Sequence, residues 1–322
     1  MIYQTKEQKY NMKLMMKKQL RIRLKIAIAL TLILIFVFNA TACSGIKQYL
    51  WPEPTTAEPT APTSDITIIP GWSITQIAEE LEKKNVCPAE SFLKACKVVP
   101  PDNEALVEGL NSASGYIFAA EGFILPETYN LYQNKDGEYA LRTFLKYSRS
   151  TLNSIEEDDM TAYARAEQLN MSMYEVFTLA SIIQYEANLG STDKDLETMK
   201  MVSSVFHNRL TNSASFPYIG SDATRKYIEV KMKDYLTSIG ATEGTAQYNK
   251  YFEGYCTNDA YDLKTKGLPV GPVGCPSVFA IKAALWPATS GNYYFFTDAD
   301  NNFHFYTNLN DFQTEWETKY KH

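Results

Sequence analysis

The sequence predicts an α+β fold preceded by an apolar N-terminal segment, and three observations lead to this prediction. Apolar residues recur at three- and four-residue spacing, which is typical of amphipathic helices, over residues 138–154, 158–169, 173–188, 193–211 and 277–286. Two short aromatic runs, at 293–297 and 303–306, flank an Asp- and Asn-rich turn and predict a β-hairpin. The third observation is the run IAIALTLILIFVF at 26–38, which follows a basic segment. With 322 residues, 45% of them apolar, the chain can form one large or two ordinary domains.

The first 42 residues have the composition of a membrane-targeting segment. Residues 1–25 contain eight Lys and Arg side chains against one Glu, and predict a basic cytoplasmic segment. Residues 26–42 reach only the lower length limit of a membrane-spanning helix, which needs about 20 residues. They therefore predict either a transmembrane anchor or the h-region of a lipoprotein signal. Ala40-Thr41-Ala42-Cys43 resembles a bacterial lipobox, so Cys43 is a candidate lipidation site.

Both alternatives give the same topology. The basic end stays in the cytoplasm, and the rest of the chain lies on the extracytoplasmic face of the bacterial cell membrane. Residues 43–65 then predict a Pro/Thr-rich tether, because 52–65 holds four prolines and few apolar side chains. The net charge of −6 includes the basic segment, so the part beyond it is more acidic still. This acidic body argues against nucleic acid as a partner.

A small subdomain is predicted at residues 66–118. It begins with a short strand, ITII at 66–69. Ser73 and Gln76 form the pattern of a capping box at the start of a helix, and 88–97 predicts a second short helix. A strand followed by two helices resembles the start of a LysM-type βααβ module, a small fold that binds glycan chains. We therefore expect this subdomain to be LysM-like.

The remaining residues, 119–322, predict a larger mixed α/β domain in which one helix has an apolar stripe that ends in a carboxylate. The members of this stripe share one helix face and are Val176, Leu179, Ile183 and then Glu186. Ser172 and Glu175 form a capping box at the start of this helix, and Gly190 is placed to end it. Two interpretations of the carboxylate stay open. It is either a solvated side chain near a helix end or a partly desolvated group whose raised pKa suits a general acid.

Several kinds of site are excluded by the residue types present. Three histidines lie far apart in sequence with no cysteines at ligand spacing, so we expect no metal site. There is no G-x-S-x-G motif and no phosphate-binding glycine loop, and we expect no cofactor. Four cysteines follow Cys43 and either form two disulfides or remain free thiols; they are Cys87, Cys96, Cys256 and Cys275. The carboxylates, amides and aromatic side chains that remain suit a carbohydrate ligand.

Four segments occur in a specific order, although each is a modest signal alone. They are EGFILPETY at 121–129, LASIIQYEA at 179–187 with VFHNRL at 205–210, GSDAT at 220–224, and GLPVGPV at 267–273. Together they resemble the endolytic murein transglycosylase family, MltG/YceG-like, from residue 66 to about residue 315. The resemblance implies a membrane-anchored lytic transglycosylase that cuts nascent peptidoglycan strands between N-acetylmuramic acid and N-acetylglucosamine and leaves 1,6-anhydro ends. It also implies that peptidoglycan strands are the substrate and that peptidoglycan synthases are among the expected partners.

The same resemblance implies roles for individual residues. Glu186 matches the family's catalytic glutamate, which protonates the leaving oxygen and then accepts the proton of the muramyl 6-hydroxyl. The residues it implies for substrate binding are Ser221, Asp222, Thr224, Glu121, Asn208 and Tyr261. The alternative is a structural role. The residues of the GSDAT segment would then form a turn, and Glu121 would brace the cleft.

Two departures from the family pattern leave other functions open. Gly220 stands where the family usually has Gln, and the family's Y-N-T-Y stretch is replaced by Asn258-Asp259-Ala260-Tyr261. A membrane protein that binds peptidoglycan without cutting it is therefore one alternative. The other is a hydrolytic muramidase that uses Asp222 as its second carboxylate and produces reducing ends.

Overall fold

The computed structural model describes residues 61–99, 115–187, 189–190 and 192–320. The predicted cytoplasmic segment, the apolar segment 26–42, Cys43 and most of the predicted tether lie outside these residues. Among the helices that are described, none combines the length and the apolar composition needed to cross a bilayer.

The described chain begins with a two-stranded antiparallel sheet whose strands are separated in sequence by two helices. Strand β1 (Thr63–Thr67) pairs with β2 (Thr128–Tyr132), with Thr63 opposite Tyr132. Between them lie α1 (Ile74–Lys83) and α2 (Ala89–Ala95). The closing strand lies beyond residue 118, so a LysM-like subdomain with that boundary stays a prediction.

Sheet pairing explains where this first strand begins. It starts at Thr63, inside the predicted tether, because β2 offers hydrogen-bonding partners as far as Tyr132. Ile66 and Ile68 are buried while Thr67 between them is exposed, which is the alternation of a half-buried strand. The predicted capping box of α1 is confirmed, since the Gln76 side chain accepts a hydrogen bond from the Ser73 amide at 3.0 Å.

A long helix and a short hairpin follow the sheet. The long helix is α3 (Gly137–Asn153). The helix predicted from residue 158 begins four residues later, as α4 (Ala162–Gln168). Asp158 and Asp159 have φ angles of 52° and 59° and join β3 (Glu156–Glu157) to β4 (Met160–Thr161). Two consecutive positive φ angles suit a hairpin turn and not a helix, so the prediction was wrong at this end.

The centre of the fold is α5 (Met173–Glu186), in which eleven of the fourteen side chains are buried. Its predicted capping box is confirmed: the Ser172 amide donates to Glu175 Oε2 at 2.8 Å, and Ser172 Oγ accepts from the Glu175 amide at 3.2 Å. Helix α6 (Asp193–Thr211) packs against α5. The two helices form the apolar centre from which the functional side chains project.

Between α6 and residue 256 there are four helical segments that were not predicted from the sequence. They are α7 (Asp222–Lys226), a π-helical segment (Tyr227–Lys231), α8 (Lys233–Ser238) and α9 (Ala246–Tyr255). The first three have five or six residues each, too few to show a helical period. The fourth buries only Phe252 and Tyr255, so its apolar stripe is sparse.

The C-terminal part closes the core and ends in the predicted hairpin. Helix α10 (Val278–Leu285) packs against both α5 and α6. Strands β5 (Tyr294–Thr297) and β6 (Phe303–Tyr306) pair in antiparallel fashion, which confirms the hairpin. Helix α11 (Leu309–Glu315) and a π-helical segment (Trp316–Tyr320) complete the described chain. The mixture of helices with short strands agrees with the predicted α+β class.

All four described cysteines are buried free thiols. Of the two alternatives left by the sequence, the structure therefore has the one without disulfides. Burial raises the pKa of each thiol, which keeps these side chains protonated and unreactive.

Candidate functional site

Glu186 is the last residue of α5, and the helix below it is apolar. Val176, Leu179 and Ile183, the predicted stripe, are fully buried, while Glu186 itself is half-buried. Ala187 leaves the helical conformation with φ −122°, so the helix ends before Gly190. The prediction that the glycine ends this helix was therefore wrong.

The glycine serves the next helix instead. Asp195 closes the capping box of α6, and its carboxylate lies against Gly190. A Cβ atom at residue 190 would lie 3.0 Å from Asp195 Oδ2, closer than an ordinary van der Waals contact. The absence of a side chain thus permits the approach of the α6 cap.

The Glu186 carboxyl is held by the N-terminus of α7. Ser221 Oγ donates a hydrogen bond to Glu186 Oε1 at 2.6 Å, and the Ala223 amide contributes a second one. Burial raises the pKa of Glu186, and the neighbouring Asp222 carboxylate adds to this effect. The Ser221 hydrogen bond and the Lys226 ammonium lower the pKa, but they do not cancel the effect of burial. A carboxyl with a raised pKa retains a proton closer to neutral pH, which a general acid requires.

A buried hydroxyl network fixes the segment that carries Ser221. The Ser221 amide donates to Thr257 Oγ1 at 3.3 Å, and Thr224 Oγ1 donates to the Ser221 carbonyl at 2.7 Å. The hydroxyls of Thr224 and Thr257 lie 3.0 Å apart, and the Gly220 amide donates to the Thr257 carbonyl at 2.9 Å. Thr257 was missed by the sequence analysis, because it follows α9 in sequence and no local motif contains it.

Arg209 braces the same segment from α6. Its Nε donates to the Tyr293 carbonyl at 2.8 Å, and its Nη1 donates to the Ile219 carbonyl. Gly220 adopts φ +71°, and a Cβ atom there would lie 3.1 Å from Arg209 Nη1. The glycine that departs from the family pattern is thus favoured by its left-handed backbone conformation, and Arg209 leaves little room for a side chain there.

Aromatic rings surround the Arg209 guanidinium. Phe216 and Tyr293 are stacked with their ring centroids 4.8 Å apart and an interplanar angle of 5°. The guanidinium lies 5.9 Å from the Phe216 ring and 5.7 Å from the Tyr294 ring. These three rings are half-buried and thus leave part of their faces accessible. Among the four aromatic residues at 293–296, Phe296 is buried and the other three are half-buried.

Asp222 and Tyr261 extend the network around Glu186 toward the surface. Asp222 Oδ1 accepts a hydrogen bond from Asn258 Nδ2 at 2.7 Å and lies 3.9 Å from Arg225 Nε. The Arg225 guanidinium lies 5.2 Å from the Tyr261 ring centroid. Of the residues predicted to bind substrate, Ser221, Asp222, Thr224 and Tyr261 therefore belong to one connected set that includes Glu186.

Glu121 lies in the interior instead. Its side chain accepts hydrogen bonds from Tyr227 Oη at 2.9 Å and from the Ile74 amide at 3.2 Å, and the residue is 1% exposed. Burial raises the pKa of Glu121 to about 7, against the opposing effects of these hydrogen bonds and of Lys231. A carboxyl so enclosed has no surface with which to contact a glycan, so these contacts favour the bracing alternative.

Asn208 also makes bracing contacts. Its amide Nδ2 donates to the Ser290 carbonyl at 3.0 Å and to the Asn292 carbonyl at 2.8 Å. Both hydrogen-bonding positions of the amide nitrogen are thus directed to the loop before β5. The substrate-binding role of Asn208 stays a prediction.

Two cavities lie away from the Glu186 carboxyl. One, of about 880 Å³, lies beside the start of α5 and the segment 266–270. The other, of about 570 Å³, lies between the π-helical segment, α8 and α9. Neither is lined by Glu186, so the candidate site is defined by this carboxyl and its contacts. Among the described residues, no three His, Cys, Asp or Glu side chains group closely enough to hold a metal ion.

Comparisons with known proteins agree with the motifs. The sequence profile of the YceG-like family matches residues 53–318. Two proteins from different strains of Streptococcus pneumoniae, each named endolytic murein transglycosylase, are 26% identical to the chain over 266 residues. The alignment covers 79% of this chain but 44% of each relative, so the chain spans less than half of their length.

A solved structure shares the fold. A crystal structure of a yceG-like protein from Listeria monocytogenes superposes with a TM-score of 0.55 at 21% identity. The match covers 78% of this chain and 75% of that one. At this level of identity the similarity concerns the fold alone.

Proposed function

The chain belongs to the YceG-like family, and from this premise we propose that it is an endolytic murein transglycosylase. Its substrate is nascent, uncrosslinked peptidoglycan, cut between N-acetylmuramic acid and N-acetylglucosamine. The name of the pneumococcal relatives supports this proposal. The observation that carries it is the half-buried Glu186 carboxyl, which accepts a 2.6 Å hydrogen bond from Ser221 and has a raised pKa.

In the proposed reaction Glu186 acts first as an acid and then as a base. The protonated carboxyl donates its proton to the glycosidic oxygen as the bond to C1 of the muramyl residue breaks. The muramyl 6-hydroxyl then attacks C1, and its proton passes to the Glu186 carboxylate. The products are a 1,6-anhydromuramyl end and a free 4-hydroxyl on the N-acetylglucosamine. The carboxyl regains its starting protonation state without consuming water, so no second carboxylate is needed, unlike in hydrolytic glycosidases.

The remaining residues of the network position this carboxyl and the strand. Ser221 fixes the orientation of Glu186 through its hydroxyl, and Thr224 and Thr257 hold the Ser221 backbone. Asp222 and Asn258 lie nearer to the surface, and we propose that they contact sugar hydroxyl and amide groups. General acid–base catalysis accelerates the reaction by about 10²–10⁴-fold. Positioning of the strand provides the rest of the rate acceleration.

We further propose that the chain works at a membrane surface. Residues 26–42 act as a transmembrane anchor or lipoprotein signal, and the tether extends the described domain toward the wall outside the cell. The acidic composition beyond residue 25 suits this location better than contact with nucleic acid. Peptidoglycan synthases, which produce the substrate, are proposed as neighbours.

Substitution of the proposed acid tests the activity directly. The full chain and its Glu186→Gln variant are incubated with uncrosslinked glycan strands, and the products are identified by mass spectrometry. The wild type releases 1,6-anhydromuramyl ends, and the variant is at least about 10²-fold slower because an amide neither donates nor accepts that proton. Glu253→Gln, an exposed carboxyl on α9, is the matched control and keeps full activity.

The products also separate the alternatives. Reducing muramyl ends from the wild type favour a hydrolytic muramidase. No cleavage by either protein, with glycan strands bound by both, favours a peptidoglycan-binding protein without activity. Equal cleavage by wild type and Glu186→Gln refutes the assignment of the acid.

A further inference from the structure

The cavity between the π-helical segment, α8 and α9 has the size and lining of a ligand pocket. Its volume is about 570 Å³, within the range of about 300–1,000 Å³ that is usual for small-molecule sites. None of the roles considered so far explains it, and most of its lining comes from segments 228–249, which no predicted motif contains. We call it the α8–α9 pocket.

One wall of the pocket is aromatic. Tyr248 and Phe252 stack with centroids 6.1 Å apart, and Tyr261 packs against Phe252 at 5.8 Å. Phe252 is buried beneath the two tyrosines, which are half-exposed. The two tyrosine side chains therefore contribute both apolar ring carbons and a hydroxyl group each to the lining of the pocket.

The rest of the lining combines apolar side chains (Ile228, Leu236, Ala241 and Leu263) with polar ones, and its charges are nearly balanced. Thr242, Glu243 and Asn249 provide hydrogen-bond donors and acceptors. The carboxylate of Glu229 is already paired with the Arg225 guanidinium. The other two charged groups in the lining, Glu243 and Lys233, have opposite signs.

This balance restricts the class of ligand. An anionic ligand would have to approach Glu229 and Glu243, both of which lie close enough to the Tyr248 hydroxyl to raise its pKa together with burial. A wholly apolar ligand would cover the Thr242 hydroxyl and the Asn249 amide without offering them hydrogen bonds. A ligand that has an apolar face and a rim of hydroxyl or amide groups satisfies both walls, and a neutral N-acetylated pyranose has this form.

Contacts link the pocket to the candidate active site. Tyr261 forms part of the pocket wall, and its ring lies 5.2 Å from the Arg225 guanidinium. Arg225 in turn lies 3.9 Å from Asp222, the neighbour of Glu186. Tyr261, Arg225 and Asp222 therefore form a series of side-chain contacts that leads from the pocket to the proposed acid.

We propose that the α8–α9 pocket is an accessory glycan-binding site that holds a neutral N-acetylated sugar of the strand. This inference rests on the proposed function for the identity of its ligand. The binding itself does not depend on cleavage, because the pocket contains no residue assigned to acid–base chemistry. Occupation of the pocket would hold the strand while Glu186 acts at another of its bonds.

Binding of a chemically simple probe tests the site. The probe is the tetramer of N-acetylglucosamine, titrated into the Glu186→Gln protein by calorimetry so that cleavage does not interfere. Tyr248→Ala removes one ring of the wall, and Thr237→Trp places a large side chain in the lining from an exposed position on α8. Each change weakens binding by about tenfold or more. Tyr251→Ala, on the same helix but outside the pocket lining, is the matched control and leaves binding unchanged.

The outcomes distinguish this site from the proposed activity. Weaker binding by both pocket variants with unchanged binding by Tyr251→Ala supports the site, even if the wild type releases no anhydro ends. Equal binding by all variants, or no binding of the tetramer, overturns it. Selective binding of a free peptidoglycan pentapeptide in place of the tetramer also overturns the assignment to sugar. Circular dichroism of each variant confirms its fold, and Thr237→Trp keeps the test decisive if Tyr248→Ala unfolds.

Discussion

Ser221 Oγ and Glu186 Oε1 lie 2.6 Å apart, although their residues are 35 positions apart in the chain. Glu186 ends α5, and Ser221 immediately precedes α7. This contact joins the end of α5 to the start of α7. It stabilises the ionised carboxylate, while burial stabilises the protonated form, and burial is the larger effect. The state of the proposed acid therefore depends on how firmly one serine is held.

Removal of this hydroxyl shifts the pH dependence of the activity. In Ser221→Ala the carboxyl loses the hydrogen bond that lowers its pKa, so the pKa of Glu186 rises further. The free enzyme needs protonated Glu186, and the decline of kcat/KM with rising pH therefore moves to higher pH. The maximal rate falls by about tenfold because the carboxyl is less well oriented. Both effects are measured from the rate of anhydro-end release at a series of pH values between about 4 and about 9, a range that begins near the usual pKa of a carboxyl group.

A surface serine provides the comparison for this variant. Ser238 ends α8, where its hydroxyl donates to the Tyr235 carbonyl of its own helix. Ser238→Ala keeps the wild-type profile. An unchanged profile in Ser221→Ala would show that this hydrogen bond has no influence on the reacting group.

The buried threonine that holds Ser221 contributes to both stability and activity. Thr257→Val keeps the shape of the side chain but leaves the Ser221 amide without its acceptor. Loss of a buried partner costs about 1–3 kcal/mol, which urea denaturation measures. Activity falls in parallel, because the Ser221 segment loses its support.

Thr178→Val is the matched control for that substitution. Thr178 is equally buried, but its hydroxyl donates to the Tyr174 carbonyl of its own helix, at 2.7 Å. Loss of this hydroxyl lowers the free energy of unfolding by less than about 1 kcal/mol and leaves activity intact. Equal destabilisation by the two variants would contradict a special role for Thr257.

Gly220 is expected to tolerate no side chain. Gly220→Ala places a Cβ atom on a residue with φ +71° and within 3.1 Å of Arg209 Nη1. The left-handed conformation alone costs about 1–2 kcal/mol, and displacement of Arg209 adds to this. Gly240→Ala, with φ +76° and no atom within 4 Å of the added Cβ, isolates the conformational cost. The difference between the two free energies of unfolding reports the contact with Arg209, and equal losses would show that this contact is unimportant.

Glu121 makes the stability of the fold depend on pH. Burial raises the pKa of Glu121 to about 7 from its usual value near 4.5. The folded state therefore binds the proton more tightly than the unfolded chain, and stability falls as pH rises from about 4.5 to about 7. Glu121→Gln has no proton to lose at this position. The free energy of unfolding of the variant, measured in urea at a series of pH values, therefore increases relative to that of the wild type as the pH rises over this range.

The comparison of the two proteins isolates Glu121 from other titrating groups. Lys231, whose pKa burial lowers to about 8, and His207, whose pKa burial also lowers, are present in both. Parallel stability curves for wild type and Glu121→Gln would contradict the raised pKa of this carboxyl.

Long elements with clear periodicity could be predicted from the sequence. The capping boxes at Ser73 and Ser172 and the hairpin at 293–306 needed only local chemistry, and all three are confirmed. Short elements such as α7 and α8 could not be predicted, because five or six residues contain no full period. The Asp158-Asp159 turn was misread as helix because its positive φ angles are set by pairing of the flanking strands.

The sequence by itself determined the family, the order of its motifs and the place of Glu186 at the end of an apolar helix face. Only the tertiary structure decided that Ser221 donates to this carboxyl, that Thr257 supports Ser221, and that Glu121 is enclosed. The physical reason is that a helix face follows from a local period, whereas hydrogen bonds and burial depend on residues brought together from distant parts of the chain. The pKa of a carboxyl depends on those distant neighbours.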